Sequence, residues 1–284
     1  MIKIEKINDL KVKPIKTQTD CRPVKGGAIL GDSPYINIMQ VASTAGGKTT
    51  ATFKILKEAV MPKKTIIVAF VPSIYNDDNW IAIRDYFEDR GTQFIAYTST
   101  KDENGKDLLK QYVDIFKEEA EERENQKRLA KEKLLIPHIN GKVNICFNDD
   151  DEEEKKEKKC KYRYAEYIFI FDDISDELRG TSYDTLMKKA RHYKLLTITS
   201  SQDMKDIKPS TIHQMRIWLM FKNIDEQRLL HVYSILGLHI PFDLFYQCYQ
   251  HATKDTPESS YNFFYLQPRS LEMRRNFSDK FNLT

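Results

Sequence analysis

The 284-residue chain has few cysteines, little net charge and no long apolar run, and each shortage narrows what it can be. Cys21, Cys146, Cys160 and Cys248 lie far apart with no C-x-x-C pair, which argues against a zinc site and a disulfide scaffold and for free thiols in a reducing compartment. The 45 basic and 42 acidic residues leave a net charge of only +3, so no global basic footprint marks the chain as a nucleic-acid binder. Any such contact has to be local or made by an assembled ring. The longest unbroken apolar run, Ile66 to Val71, is far too short to span a bilayer, and Met1-Ile2-Lys3-Ile4-Glu5-Lys6 has no signal-peptide pattern. A soluble, intracellular protein without a membrane partner is the expectation. With 40% hydrophobic residues the chain can bury a sizeable core, expected as one domain.

What is present begins with the run Tyr35-Ile36-Asn37-Ile38-Met39-Gln40-Val41, followed by Ala42, Ser43, Thr44, Ala45, Gly46, Gly47, Lys48, Thr49 and Thr50. This reads as a strand, a turn of small residues and a helix start, with Phe53, Ile55, Leu56, Ala59 and Val60 continuing in helical pattern. Backbone N–H groups over Thr44 to Thr50 converge on a polyphosphate, and the helix N-terminus favours its negative charge. Lys48 would reach the β- and γ-phosphates, and the Thr49 hydroxyl would ligate Mg²⁺. The pattern G-x-x-x-x-G-K-[ST] is met at Gly47, Lys48 and Thr49, with Ala42 in the place of the first glycine.

Residues 1–30 are basic and weakly patterned around Pro14 and Pro23 and read as an extended arm. From residue 31 onward strand-like runs recur at Tyr35–Val41, Thr65–Val71, Gln93–Tyr97, Tyr164–Phe171, Leu195–Ser200, Arg216–Phe221 and Tyr261–Leu266. Their apolar character, with helical patterns between them, predicts an α/β fold with a mostly parallel central sheet covered on both faces. Residues 101–163 interrupt the rhythm as a charged insertion. A helix over Leu108–Lys133 leads to a hairpin about Asn140-Gly141, and an acidic-then-lysine block over Asp149–Lys161 is expected to be disordered in the monomer. The insertion reads either as solvated surface or as an element contacting DNA or a neighbouring subunit.

Tyr167-Ile168-Phe169-Ile170-Phe171 ends in Asp172-Asp173, a buried strand delivering two carboxylates at its C-terminal edge, where open α/β sheets bind ligands. Asp172 would hold Mg²⁺, and Asp173 would orient or deprotonate the attacking water. The plainer alternative is a pair of aspartates capping the next helix. Leu195–Ser200 leads to Gln202, the candidate sensor of the γ-phosphate in P-loop ATPases that insert a strand between the phosphate-loop strand and the carboxylate strand. His192 reads as a capping or packing residue.

These motifs, with Ala190-Arg191-His192-Tyr193 before Thr199-Ser200-Ser201-Gln202, Arg216, Tyr261-Asn262-Phe263-Phe264-Tyr265 and Arg275-Asn276-Phe277, resemble the FtsK-HerA superfamily. Within it the resemblance is to the genome-packaging ATPases of double-stranded DNA viruses of the poxvirus, giant-virus, virophage and Polinton type. It covers Tyr35 to the C-terminus without the insertion. It implies a RecA-like P-loop (ASCE) domain over residues 31–284, with ATP and Mg²⁺ as cofactors and hydrolysis coupled to translocation of double-stranded DNA. The implied assembly is a homo-oligomeric ring, pentamer or hexamer, meeting capsid vertex proteins in the host-cell cytoplasm or at the virion vertex. An arginine supplied in trans is implied too, Arg191 first and Arg216 second. Asp173 stands where many superfamily members carry glutamate. Two other readings are a P-loop kinase of a nucleoside or small metabolite, and a nucleotide-binding assembly protein without turnover.

Overall fold

The computed structural model describes residues 20–43, 46–134, 160–174, 177–202, 204–257 and 261–283. A short helix α1 (Gly27–Leu30) precedes β1 (Asn37–Val41), α2 (Lys48–Ala59), β2 (Ile66–Phe70), α3 (Asp78–Glu88), β3 (Gln93–Tyr97) and the long α4 (Leu108–Leu134). Then follow β4 (Tyr167–Phe171), α5 (Thr181–Lys189), β5 (Leu195–Ser201), α6 (Pro209–Ile212), β6 (Met215–Phe221), α7 (Glu226–Leu236) and α8 (Phe242–Thr253). The last elements are β7 (Phe263–Gln267), β8 (Glu272–Arg275) and β9 (Asp279–Lys280).

The strands form one nine-stranded sheet in the order β3-β2-β4-β5-β1-β6-β7-β8-β9. From β3 to β6 every pairing is parallel, and β7, β8 and β9 add on in antiparallel fashion. The mostly parallel α/β sheet expected from the apolar runs is therefore present. β5 lies between β1 and β4, with Asn37 opposite Thr197 and Phe169 opposite Thr197 on its other side. The chain's parallel half reads as continuous apolar runs because both faces are covered.

Alternate strand residues feed two cores. Val68, Phe70, Phe169, Phe171, Trp218 and Met220 pack against helices α4, α5, α7 and α8. Ile67, Ala69, Ile168, Ile170, Ile217 and Leu219 pack against α1, α2 and α3. The period-2 alternation of a strand sorts neighbouring residues onto opposite faces, which is how one apolar run serves both layers.

Two expectations meet a different structure. Of the arm expected over residues 1–30, residues 20–30 are described, and the end of that stretch packs onto the domain. Ile29 and Leu30 are buried, and the Tyr265 hydroxyl donates to the Ile29 carbonyl at 2.8 Å. Gly26, at φ +75°, lets the chain pass so close to α2 that a Cβ there would lie 3.2 Å from the Glu58 backbone. The first part of the 101–163 insertion is also core. Leu109, Val113 and Phe116 of α4 are buried, with the Phe116 ring 4.9 Å from that of Tyr167 and 5.3 Å from that of Tyr193. From Lys117 to Gln126 the side chains are exposed or half-exposed, as the charged pattern predicts. The hairpin about Asn140-Gly141 lies outside the described residues, as does the Asp149–Lys161 block up to residue 159.

Candidate functional site

The loop between β1 and α2 is shaped by what its residues lack. Gly47 is the N-cap of α2 at φ 94°, ψ 9°, and has no side chain with which to cap the helix, a start that suits an anion facing its first backbone N–H groups. A Cβ on Gly46 would come within 3.0 Å of the Ser43 carbonyl and 3.2 Å of the Ala42 methyl. Ala42 is buried, and its methyl is accommodated because Gly46 carries none. The substitution of the first glycine is thus absorbed within the loop. Thr44 and Ala45, expected to bind phosphate, lie outside the described residues.

Lys48 begins α2 with only 7% of its side chain exposed, and its Nζ donates to Asp173 Oδ1 at 2.9 Å across 125 positions of sequence. Asp173 follows β4 in the left-handed region, at φ +53°, and keeps 55% of its side chain exposed. A non-glycine residue held at positive φ is strained, and such strain collects at functional sites. Asp172, one residue earlier, is buried. Its Oδ2 accepts from the Trp80 indole at 3.3 Å, while its Oδ1 has no hydrogen-bond partner among the described residues. Burial, and then the neighbouring Asp173 charge, push the Asp172 carboxyl above the usual carboxylate range, against the opposing pull of Lys48, Ser200 and Trp80.

Lys48, Thr49, Asp172 and Asp173 line one cavity of about 400 Å³ together with Gly46, Gly47, Thr50, Ser73, Asp77, Asn79 and Tyr261. A buried carboxylate oxygen without a donor among the described residues, in a cavity that Thr49 also lines, matches the oxygen ligands a hard divalent cation takes. The residues present fit Mg²⁺, which Thr49 and Asp172 would hold. Trp80, Ser73, Asp77, Asn79 and Tyr261 were not foreseen as site residues. Tyr261, 60% exposed, approaches Gly47 so closely that a Cβ there would lie 3.3 Å from its ring.

Behind the loop runs a buried polar chain that sequence reasoning also missed. Gln40 of β1 donates to the Thr52 hydroxyl of α2 at 3.0 Å and accepts from Ser200 of β5 at 3.1 Å. It ties α2 to the strand that ends beside Gln202. A glutamine inside an otherwise apolar strand was the available signal, since a buried amide needs partners.

Gln202 directly follows β5 at the carboxyl edge, between the ends of β1 and β4. It lines a neighbouring cavity of about 480 Å³ with Val41, Lys205, Asp225, Arg228 and His231, not the one holding Lys48. Arg191 is exposed in the turn before β5, and Arg216 sits at the start of β6, where it pairs with Asp32. Both arginines therefore lie at the opposite edge of the parallel strands from Asp172 and Asp173. The structure brings together Gly46, Gly47, Lys48, Thr49, Thr50, Asp172 and Asp173, and it sets Gln202 beside them and the two arginines apart.

No protein-family model matches the chain, and no curated protein matches it. Among solved structures it is similar to the genome packaging NTPase B204 from Sulfolobus turreted icosahedral virus 2 in complex with AMPPCP. The identity is 14%, over 86% of this chain and 98% of that one, with a TM-score of 0.47. It is also similar to EssC (ATPases 2 and 3) from Geobacillus thermodenitrificans, at 16% identity over 86% of this chain and 38% of that one, TM-score 0.43. A third likeness is to the cytoplasmic domain of the Thermomonospora curvata type VII secretion ATPase EccC, at 10% identity over 81% of this chain and 24% of that one, TM-score 0.40.

Proposed function

We propose that the chain binds ATP with Mg²⁺ at the β1–α2 loop and hydrolyses it, and that it does so as a ring-forming motor that moves double-stranded DNA into a viral capsid. The observation that carries the hydrolytic part is the meeting of Lys48, Asp172 and Asp173 in one cavity at the uncapped start of α2. In the nucleotide-free protein Asp173 neutralises Lys48. When the β- and γ-phosphates take Lys48, Asp173 is released to orient the attacking water and accept its proton. Thr49 and Asp172 would hold the metal, which supplies charge neutralisation at the phosphate oxygens. Gln202, at the tip of the inserted strand, is the sensor in this reading.

DNA, the ring and the capsid enter through the superfamily resemblance. A pentamer or hexamer would place one subunit's amino edge, with Arg191 and Arg216, against a neighbour's site, where a guanidinium stabilises the transferring phosphoryl group. The work would be done at a virion vertex or in the host cytoplasm, with vertex proteins as partners. Among the described residues no helix is long and apolar enough to cross a membrane.

Phosphate release measured with and without duplex DNA, at protein concentrations spanning assembly, tests the proposal. Stimulation by DNA that appears only above a threshold concentration is expected. Phosphoryl transfer to a small acceptor, or nucleotide binding with no turnover under any of these conditions, would overturn it. Mixing Arg191→Ala with Lys48→Ala subunits should restore turnover where an intact loop meets an intact arginine. Recovery with Arg216→Ala in its place moves the role to Arg216.

A further inference from the structure

Beside the phosphate cavity, and sharing Thr49, Thr50 and Asn79 with it, lies a second chamber of about 340 Å³ between α2 and α3. The rest of its wall is Phe53, Ala82, Ile83 and Tyr86. Thr49 and Phe53 are four residues apart on α2, so the aromatic wall begins one helical turn, about 5.4 Å, beyond the residue expected to meet the metal. Each chamber falls in the size range of ligand pockets, roughly 300–1,000 Å³, and the two differ in chemistry. One is lined by carboxylates, hydroxyls and a lysine, the other mainly by rings and aliphatic carbons.

The aromatic wall is built in advance. Phe53 and Tyr86 meet edge to face at 5.1 Å and 89°, and Phe87 closes behind Phe53 at 6.2 Å. Arg90 covers Tyr86 at 3.6 Å from its ring centroid, and Lys57 stands 5.2 Å from that of Phe53. Each cation lies over one face of its ring. Asn79 is already engaged, its amide donating to Asp77 at 3.1 Å. The wall offers stacking and apolar contact rather than a set of donors and acceptors that would read a base edge.

We propose that this chamber takes the nucleobase of the bound nucleotide, through stacking and apolar contact on Phe53 and Tyr86. The inference rests on the nucleotide reading of the adjoining cavity and adds the place and manner in which the base is held. A consequence is weak discrimination between purines, since stacking tolerates any π-face.

The test compares ATP with inorganic tripolyphosphate, which carries the phosphates without the base, as ligands of the full chain in the presence of Mg²⁺. Phe53→Ala should weaken ATP about tenfold, the order of one lost base stack, and leave tripolyphosphate affinity unchanged. Ala82→Trp, placed on an exposed position to fill the chamber from outside, should do the same without touching the core. Retained tripolyphosphate binding reports that each variant is folded and its phosphate site intact. ATP and GTP should bind wild type within about threefold of each other. Equal ATP affinity in wild type and both variants would overturn the base chamber alone, as would loss of ATP affinity in Tyr261→Ala with none in Phe53→Ala. Wild type that binds neither ATP nor tripolyphosphate would overturn the nucleotide reading beneath it.

Discussion

Where β1, β5 and β6 begin, Asn37 donates to the carbonyls of Met187 at 3.0 Å and Gln214 at 3.2 Å and accepts from Thr197 at 2.8 Å, and Arg216 pairs with Asp32. Where β1 and β4 end, a buried carboxylate oxygen lacks a hydrogen-bond partner among the described residues, Gly47 and Asp173 stand at positive φ, and α2 starts on a glycine with no side chain to cap it. The amino edge is not free of such features, since the Tyr193 and Thr92 hydroxyls are buried without a partner among the described residues and Lys194 stands at φ +56°, but there they are scattered, whereas at the carboxyl edge they line one cavity. Buried polar groups left without partners cost about 1–3 kcal/mol each, and a fold keeps them where a ligand will complete them. What sets the candidate site apart is that these features meet in one cavity with Lys48, Thr49 and Asp173.

Substitutions at the two edges should therefore fail in different ways. The largest effect is expected from Lys48→Ala, with a fall of about 10²–10³ in turnover, typical for loss of one charge-stabilising donor, and little change in thermal stability. Steady-state phosphate release and a melting curve on the same sample check both halves. Asn37→Ala should do the reverse. It strands buried groups on three neighbours and should cost about 1–3 kcal/mol in denaturant unfolding, while per-molecule turnover of the folded fraction holds. A turnover defect in Asn37→Ala as large as that in Lys48→Ala would erase the distinction between the edges.

Asp172→Asn should stabilise the nucleotide-free protein in chelator by about 0.5–2 kcal/mol and abolish turnover, because it removes a buried charge kept for a ligand. Its pH dependence follows from the raised titration of Asp172. Well below the ordinary value of 3.8 the carboxyl is protonated both folded and unfolded, so it costs nothing. As pH rises above that ordinary value the unfolded state ionises first and the penalty grows, reaching its full size once pH passes the raised folded value, so the gain from asparagine should be largest near neutral pH and vanish in acid. The smallest effect belongs to Asp32→Ala, which breaks the half-exposed pair with Arg216 and should cost less than about 1 kcal/mol.

The parallel half of the fold and the residues that meet in the candidate cavity were legible because each depends on local pattern. Apolar runs placed β1 to β7 to within a few residues, and Gly47-Lys48-Thr49 and Asp172-Asp173 announced a loop and a strand end. β8 and β9 were missed because Glu272-Met273-Arg274-Arg275 holds one buried side chain, Met273, and pairs through its backbone. The core role of α4 was understated although Leu109, Val113 and Phe116 fall at helical spacing, since the charge of its second half dominates the composition. Trp80 against Asp172 and Tyr261 against Gly47 join positions 92 and 214 residues apart, and no local periodicity records such contacts.

The most direct test of the central claim, that Lys48 and Asp173 divide binding from water activation in one cavity, is a single-turnover measurement on Asp173→Asn. Bound ATP and released phosphate would be followed together with Mg²⁺ present. The account predicts ATP bound about as tightly as by wild type and phosphate release slowed by about 10²–10⁴-fold, the usual cost of a lost positioned base. Phosphate release at the wild-type rate, or loss of ATP binding equal to that in Lys48→Ala, would contradict it.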